Sequence, residues 1–156
     1  MRSRATPGES TVTLDDEHFR KLERMYASAP INRYFRPALR VSEGGAEVTM
    51  TVRDDFFHAA HAVHGAVYFK ALDDAAFFAA SSLVTDVFML TVSFNIQLLR
   101  PVSGGVLRAV GKVVHRSRSL ILADAELTSD EGKPVARGSG SFMPGKTALS
   151  AAIGYA

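Results

Sequence analysis

His64-Gly65-Ala66-Val67-Tyr68-Phe69-Lys70-Ala71-Leu72-Asp73 decides how this chain is read. The run opens an apolar helix, expected from about Gly65 to Leu83, with a glycine at its start and a carboxylate deep inside it. The first amides of a helix lack intrahelical acceptors and carry positive partial charge. A glycine among them lets a substrate carbonyl or anion approach the main chain closely. Gly65 is therefore a candidate oxyanion donor. Asp73 lies in apolar surroundings, where a carboxylate is costly to bury without a partner or a task. It is the candidate acid, base or nucleophile.

Outward from this helix the pattern changes period. Upstream, Phe19, Leu22, Met25 and Tyr26 recur at helical spacing between Asp15 and Ser28, with acidic residues in the first turn and Pro30 marking the end. Leu39 to Val41 and Ala46 to Val52, parted by Gly44 and Gly45, read as a β-hairpin with Val48, Met50 and Val52 on one face. Residues 54–63 are irregular and rich in histidine. After the helix come four strand-like runs, at about 86–99, 105–116, 120–129 and 134–143, broken by turn-forming residues. Strands gathered around one long helix argue an α+β domain with an antiparallel sheet. Residues 1–12 read as a loose arm, 13–37 as a helical extension, 38–144 as the main domain and 145–156 as a tail rich in small residues.

The 156 residues, 47% of them hydrophobic, suffice for one domain with its own core. A net charge of +2 with basic residues scattered singly argues against nucleic-acid binding, although isolated arginines can still meet the phosphates of a small ligand. The absence of cysteine excludes disulfides, thiolate catalysis and cysteine metal sites. The first twelve residues have no apolar signal-peptide core, and Lys70, Asp73 and Asp74 interrupt the apolar helix. The expectation is a cytoplasmic protein without a membrane span.

The order of hairpin, His-Gly turn, long helix and consecutive strands, with HGAVYFKALDDAAFFAA at its centre, resembles the hotdog-fold acyl-CoA thioesterases of the phenylacetate-pathway type. These belong to the 4-hydroxybenzoyl-CoA thioesterase-like superfamily. Val92-Ser93-Phe94-Asn95-Ile96, Leu99-Arg100-Pro101 and Gly132-Lys133-Pro134-Val135-Ala136-Arg137-Gly138 look like the later strands of that family. The resemblance implies an antiparallel sheet wrapped around one long central helix, with an extra N-terminal helix here. It also implies hydrolysis of an aryl or short-to-medium acyl-CoA, with coenzyme A as part of the substrate and no separate cofactor. Asp73 falls on the family's catalytic carboxylate, and Thr91 on a hydroxyl residue that helps hold the attacking water. Ala66 replaces a usual second glycine, and His58 and His61 stand where Asn and Gly are common.

Gly65 and Asp73 are eight residues apart, roughly 12 Å along a helix at ~1.5 Å per residue. Reacting atoms must come within about 3 to 3.5 Å of each other, so one straight helix does not bring both groups to one carbonyl. Two antiparallel copies about a twofold axis can, which agrees with the obligate dimers, or dimers of dimers, that the resemblance implies. Asp74, four residues after Lys70, reads as a surface ion pair.

The spacing of His58, His61 and His64 does not match a helical zinc pair, and no metal is expected. These histidines either pair with loop carbonyls, or His58 or His64 meets the thioester oxygen or positions Gly65. Strict alternation counted from Phe94 sends Leu90, Val92 and Ile96 to one face of their strand and Thr91, Ser93 and Asn95 to the other. Arg100, Arg116 and Arg118 flank turns where coenzyme A phosphates could meet them. Phe56, Phe57, Phe69, Phe77 and Phe78 are candidates for an acyl pocket or simply for the core. The competing functions are a hotdog hydratase or dehydratase and a non-catalytic acyl-CoA-binding module.

Overall fold

The computed structural model describes residues 14–156, so the arm expected at residues 1–12 lies outside the described residues. Two helices, α1 (Leu14–Ser28) and the short α2 (Asn32–Phe35), precede the hairpin of β1 (Ala38–Ser42) and β2 (Gly45–Thr51). The long helix α3 (Gly65–Ser81) follows, and then β3 (Val87–Leu98), β4 (Val106–Arg116), β5 (Ile121–Thr128) and β6 (Pro134–Ala148). The six strands form one antiparallel sheet in the order β1-β2-β4-β5-β6-β3, curled around α3 in the expected α+β hotdog architecture.

The hairpin turns tightly, with Gly44 at φ +67° and Ser42 paired with Gly45. Alternation then buries Ala46, Val48 and Met50 against α3. Opposite them, α3 presents Ala71, Ala75, Ala76, Ala79 and Ala80, all essentially inaccessible to solvent. This small-residue face lets the helix lie deep in the sheet. At Gly111 of β4 a Cβ would stand only 2.2 Å from the carbonyl oxygen of Ala75, so a larger residue there would push the layers apart. Leu72, Leu107, Leu127 and Phe142 fill the remaining space, each contributing about 1.5–3 kcal/mol by leaving water.

Two expectations are corrected. The boundary at 144/145 falls inside a strand, because β6 continues through Ala148, which pairs with Val87. Its small residues permit this: at Gly145 a Cβ would meet the carbonyl oxygen of Phe88 at 2.6 Å, an approach that leaves room only for glycine. Residues 149–156 do not trail away but fold back over α1 through a short 3-10 turn, Ala151–Ile153. The second correction concerns β3. Thr91 pairs with Phe142 and Ser93 with Ser141, leaving Val92 as the extra residue of a β-bulge. The bulge inverts the alternation, so Met89 and Thr91 face inward before it and Phe94 and Ile96 after it. Leu90 and Val92, at 53% and 58% exposure, are left outside.

Candidate active site

The site begins at the loop before α3. A bridge between Phe57 and Val63 closes the histidine loop, and His64 N–H donates to the carbonyl of Phe56 (2.9 Å). His61 takes φ +61°, a conformation suited to glycine and tolerated by histidine. His58 turns inward on its own loop, its Nδ1 accepting from Ala60 N–H (3.0 Å). His64 is the N-cap of α3: its Nδ1 accepts from Ala66 N–H (2.9 Å) and its carbonyl from Val67 N–H (2.9 Å). The neighbouring amides are thereby satisfied, while Gly65 N–H, the first of the helix, has no helical carbonyl to meet. Leu98 Cδ1 lies 3.1 Å from where a Cβ on Gly65 would stand.

Further along α3, the bulge in β3 delivers Thr91 to Asp73. The Thr91 hydroxyl donates to Asp73 Oδ1 at 3.1 Å, a contact that strict alternation did not guarantee. Burial pushes the Asp73 carboxyl up to about 6. The Thr91 hydrogen bond opposes that rise, the neighbouring Asp74 adds to it and Lys70 opposes it. A carboxylate titrating close to neutrality is suited to accepting a proton.

Asp74 is not the surface pair expected from sequence. Its i−4 partner is correct, since Lys70 Nζ meets Asp74 Oδ2 at 2.5 Å, but both side chains are largely covered. The cover is α1 and α2: the Tyr26 hydroxyl donates to Asp74 Oδ2 (2.6 Å), and the Lys70 ammonium lies over the rings of Tyr26 and Phe35. Burial raises the Asp74 carboxyl, and the contacts with Lys70 and Tyr26 hold it back. Burial, together with the Asp74 charge, keeps the Tyr26 hydroxyl protonated.

Asp73, Asp74 and Thr91 border a cavity of about 800 Å³. Its walls are mostly apolar: Phe77 and Phe78 of α3, Phe88 and Leu90 of β3, Met25 of α1 and Ile31 of the α1–α2 connection. That size and lining suit a small-molecule site. Of the phenylalanines singled out from sequence, Phe77 and Phe78 line this cavity. Phe56 is in the core, and Phe69 packs edge-on against Phe94 (5.5 Å between centroids). The sequence reading missed Phe88, the connection 29–31 and the first residue of α2, Asn32, whose Nδ2 donates to the Tyr26 carbonyl (2.7 Å).

The three arginines are not brought together. Arg100 is tied to the first turn of α3 by its carbonyl, which accepts from the Tyr68 hydroxyl (3.0 Å), and it borders a second cavity of about 360 Å³. Arg116 instead donates to the carbonyl of Leu83, just beyond the other end of α3 (3.0 Å), with Arg118 in the adjoining turn. The two places are separated by roughly 20 Å of helix. Among the described residues no three His, Asp or Glu side chains gather in a metal-binding group, and no helix is long and apolar enough to cross a membrane.

The model of the Thioesterase superfamily matches residues 60–136, the stretch from the histidine loop through β5 to the start of β6. Residues 60–136 thus carry the pattern of the thioesterase superfamily, and thioester hydrolysis is the chemistry that this match supports. Among solved structures, the Escherichia coli PaaI protein from the phenylacetic acid degradation operon is 24% identical, with a TM-score of 0.80 over 88% of this chain and 100% of that one. A phenylacetic acid degradation-related protein of Ralstonia eutropha JMP134 is 25% identical, with a TM-score of 0.72 over 81% and 98%. A curated Saccharolobus solfataricus protein, assigned as an esterase, is 22% identical over 143 residues, covering 92% of this chain and 99% of its own.

Proposed function

We propose that the protein hydrolyses acyl-CoA thioesters, aryl or short-to-medium in the acyl group, at sites shared between two copies of the chain. The observation that carries this reading is the Asp73 carboxylate: raised toward neutrality, held on one oxygen by Thr91 and set in the wall of a mostly apolar cavity. The acyl group occupies that cavity and its carbonyl carbon stands before Asp73. Asp73 takes a proton from water as the water oxygen attacks. Alternatively it attacks the carbonyl itself, and the resulting anhydride is then opened by water. In either case the carbonyl oxygen gains charge, the C–S bond breaks and coenzyme A leaves as its thiolate, to be protonated.

The developing oxyanion needs a donor that this chain's own α3 does not bring to Asp73, because Gly65 is roughly 12 Å along the same helix. The partner's Gly65 N–H fills that role, with each copy's His64 cap fixing its helix start. The sheet supports such pairing. Among the described residues β3 is an edge strand of twelve residues, with Leu90 and Val92 exposed and no strand on its outer side, and two such edges can join antiparallel about a twofold axis. Arg100 and, from the other end of the helix, Arg116 and Arg118 are candidates for the coenzyme A phosphates, with the guanidinium groups of Arg100 and Arg118 unengaged among the described residues. His58 is left to shape the loop floor.

A panel of acyl-CoA thioesters assayed by free-thiol release tests the reading. The wild type should turn over at least one of them. Asp73→Asn should still bind it while kcat falls by on the order of 10²-fold or more. Tight binding without thiol release, or formation of a double bond instead, would overturn the assignment.

A further inference from the structure

Residues 149–156 form a strap across one side of the acyl cavity. It is anchored at both ends: Leu149 N–H donates to the Asp86 carbonyl ahead of β3 (3.0 Å), and the Tyr155 hydroxyl pairs with Nδ1 of the buried His18 on α1 (2.7 Å). The other ring nitrogen of His18 donates to the carbonyl of Ser81, the last residue of α3 (3.0 Å), so one histidine joins strap, α1 and α3. Lys21 lies over the Tyr155 ring. Between the anchors the chain is wound into a 3-10 turn, closed by Ile153 N–H to Ser150 O and Gly154 N–H to Ala151 O. At Gly154, with φ +86°, a Cβ would stand 2.3 Å from Ser28 Oγ, so the strap lies directly on the last turn of α1. The turn presents Ala152, Ile153 and Gly154 to the cavity that Asp73 and Thr91 also border. Ile153 is the one bulky side chain among the three.

We propose that Ile153, held in place by the Tyr155–His18 anchor, limits the size of the acyl group that the enzyme accepts. The inference rests on this cavity being the acyl site of the thioesterase. It makes the substrate class one of compact acyl groups, with longer chains rejected by the strap rather than by the chemistry at Asp73. Ile153 contributes three carbons beyond Cβ to the wall, and each substrate methylene admitted in their place is worth about fourfold in kcat/KM.

The test measures kcat/KM for acetyl-, hexanoyl-, decanoyl- and benzoyl-CoA in the wild type and in Ile153→Ala, Ile153→Trp and Tyr155→Phe. Ile153→Ala is expected to raise the decanoyl-to-acetyl ratio by about tenfold or more, and Ile153→Trp to lower it. Tyr155→Phe, which removes only the hydroxyl that His18 holds, should move the ratio in the direction of Ile153→Ala by a smaller factor. A ratio unchanged in both Ile153 variants, in enzymes that still hydrolyse acetyl-CoA, overturns the role of Ile153. An unchanged ratio in Tyr155→Phe overturns the anchor. Failure of the thioesterase reading itself is distinguishable, because the wild type would then release no thiol from any of the four.

Discussion

Lowering the pH should switch this enzyme off well above the range of an ordinary aspartate. If the reacting form requires ionised Asp73, kcat/KM follows the ionised fraction of the free enzyme. With the carboxyl at about 6, against 3.8 for an unperturbed aspartate, only about one-tenth is ionised at pH 5, where an unperturbed group would be more than about nine-tenths ionised. The acid limb of the profile should therefore fall roughly tenfold per pH unit below 6. Thr91→Ala removes the hydrogen bond that opposes the rise, so its limb should move to higher pH and its rate at pH 6 should drop more than its rate at pH 8. Stopped assays of thiol release from pH 4 to 9, quenched and developed at a fixed pH, separate the enzyme's titration from the reporter's. A limb near pH 4 in the wild type, or a Thr91→Ala limb shifted downward, would refute the assignment of Asp73 as the titrating group.

The same raised carboxyl has a cost in stability. An unfolded Asp73 ionises at its ordinary value, so the folded protein binds the extra proton between about pH 4 and 6, and stability declines over that window and stays lower above it. Asp73→Asn should thus be more stable than wild type at pH 7.5, by about 1–2 kcal/mol after allowance for solvent screening, and equal to it near pH 3.5. Denaturant melts at fixed protomer concentration check this; equal stability at pH 7.5 would count against a penalised carboxylate. Asp74→Asn leaves the covered Lys70 ammonium without its counter-charge and should cost on the order of 3 kcal/mol. It also removes the like charge beside Asp73, so its acid limb should move to lower pH, a shift that a merely destabilised fold would not produce.

The long helix was legible because its evidence is local: a glycine start, a largely apolar run and a carboxylate within it. The hairpin was legible for a similar reason, its glycines lying between alternating valines and methionines. The approach of Thr91 to Asp73 depends on one extra residue, Val92, in a strand whose apolar residues occur on both faces. The one sequence signal for the bulge is the shift of bulky inward positions from Met89 to Phe94 and Ile96, masked by Leu90 and Val92. The burial of the Lys70–Asp74 pair comes from α1 crossing over it through Tyr26, a contact 48 residues away in sequence that no helical spacing encodes. The strap is hidden for the same reason: its anchor joins His18 to Tyr155 across 137 residues, and its small residues read as a loose tail until their close approach to α1 is seen.

The shared site is tested most directly by restoring activity from two inactive parents. Asp73→Asn chains keep an intact Gly65, and chains with a bulky residue at Gly65, such as Gly65→Leu, keep an intact Asp73. Each should be silent as a homodimer. Heterodimers purified through two different tags would join one intact Gly65 to one intact Asp73 at a single interface site. Their thiol-release activity per dimer should reach up to half that of wild type, since one site of two is whole. Verified heterodimers of folded chains that remain as inactive as their parents would contradict the sharing of Gly65 and Asp73 between copies.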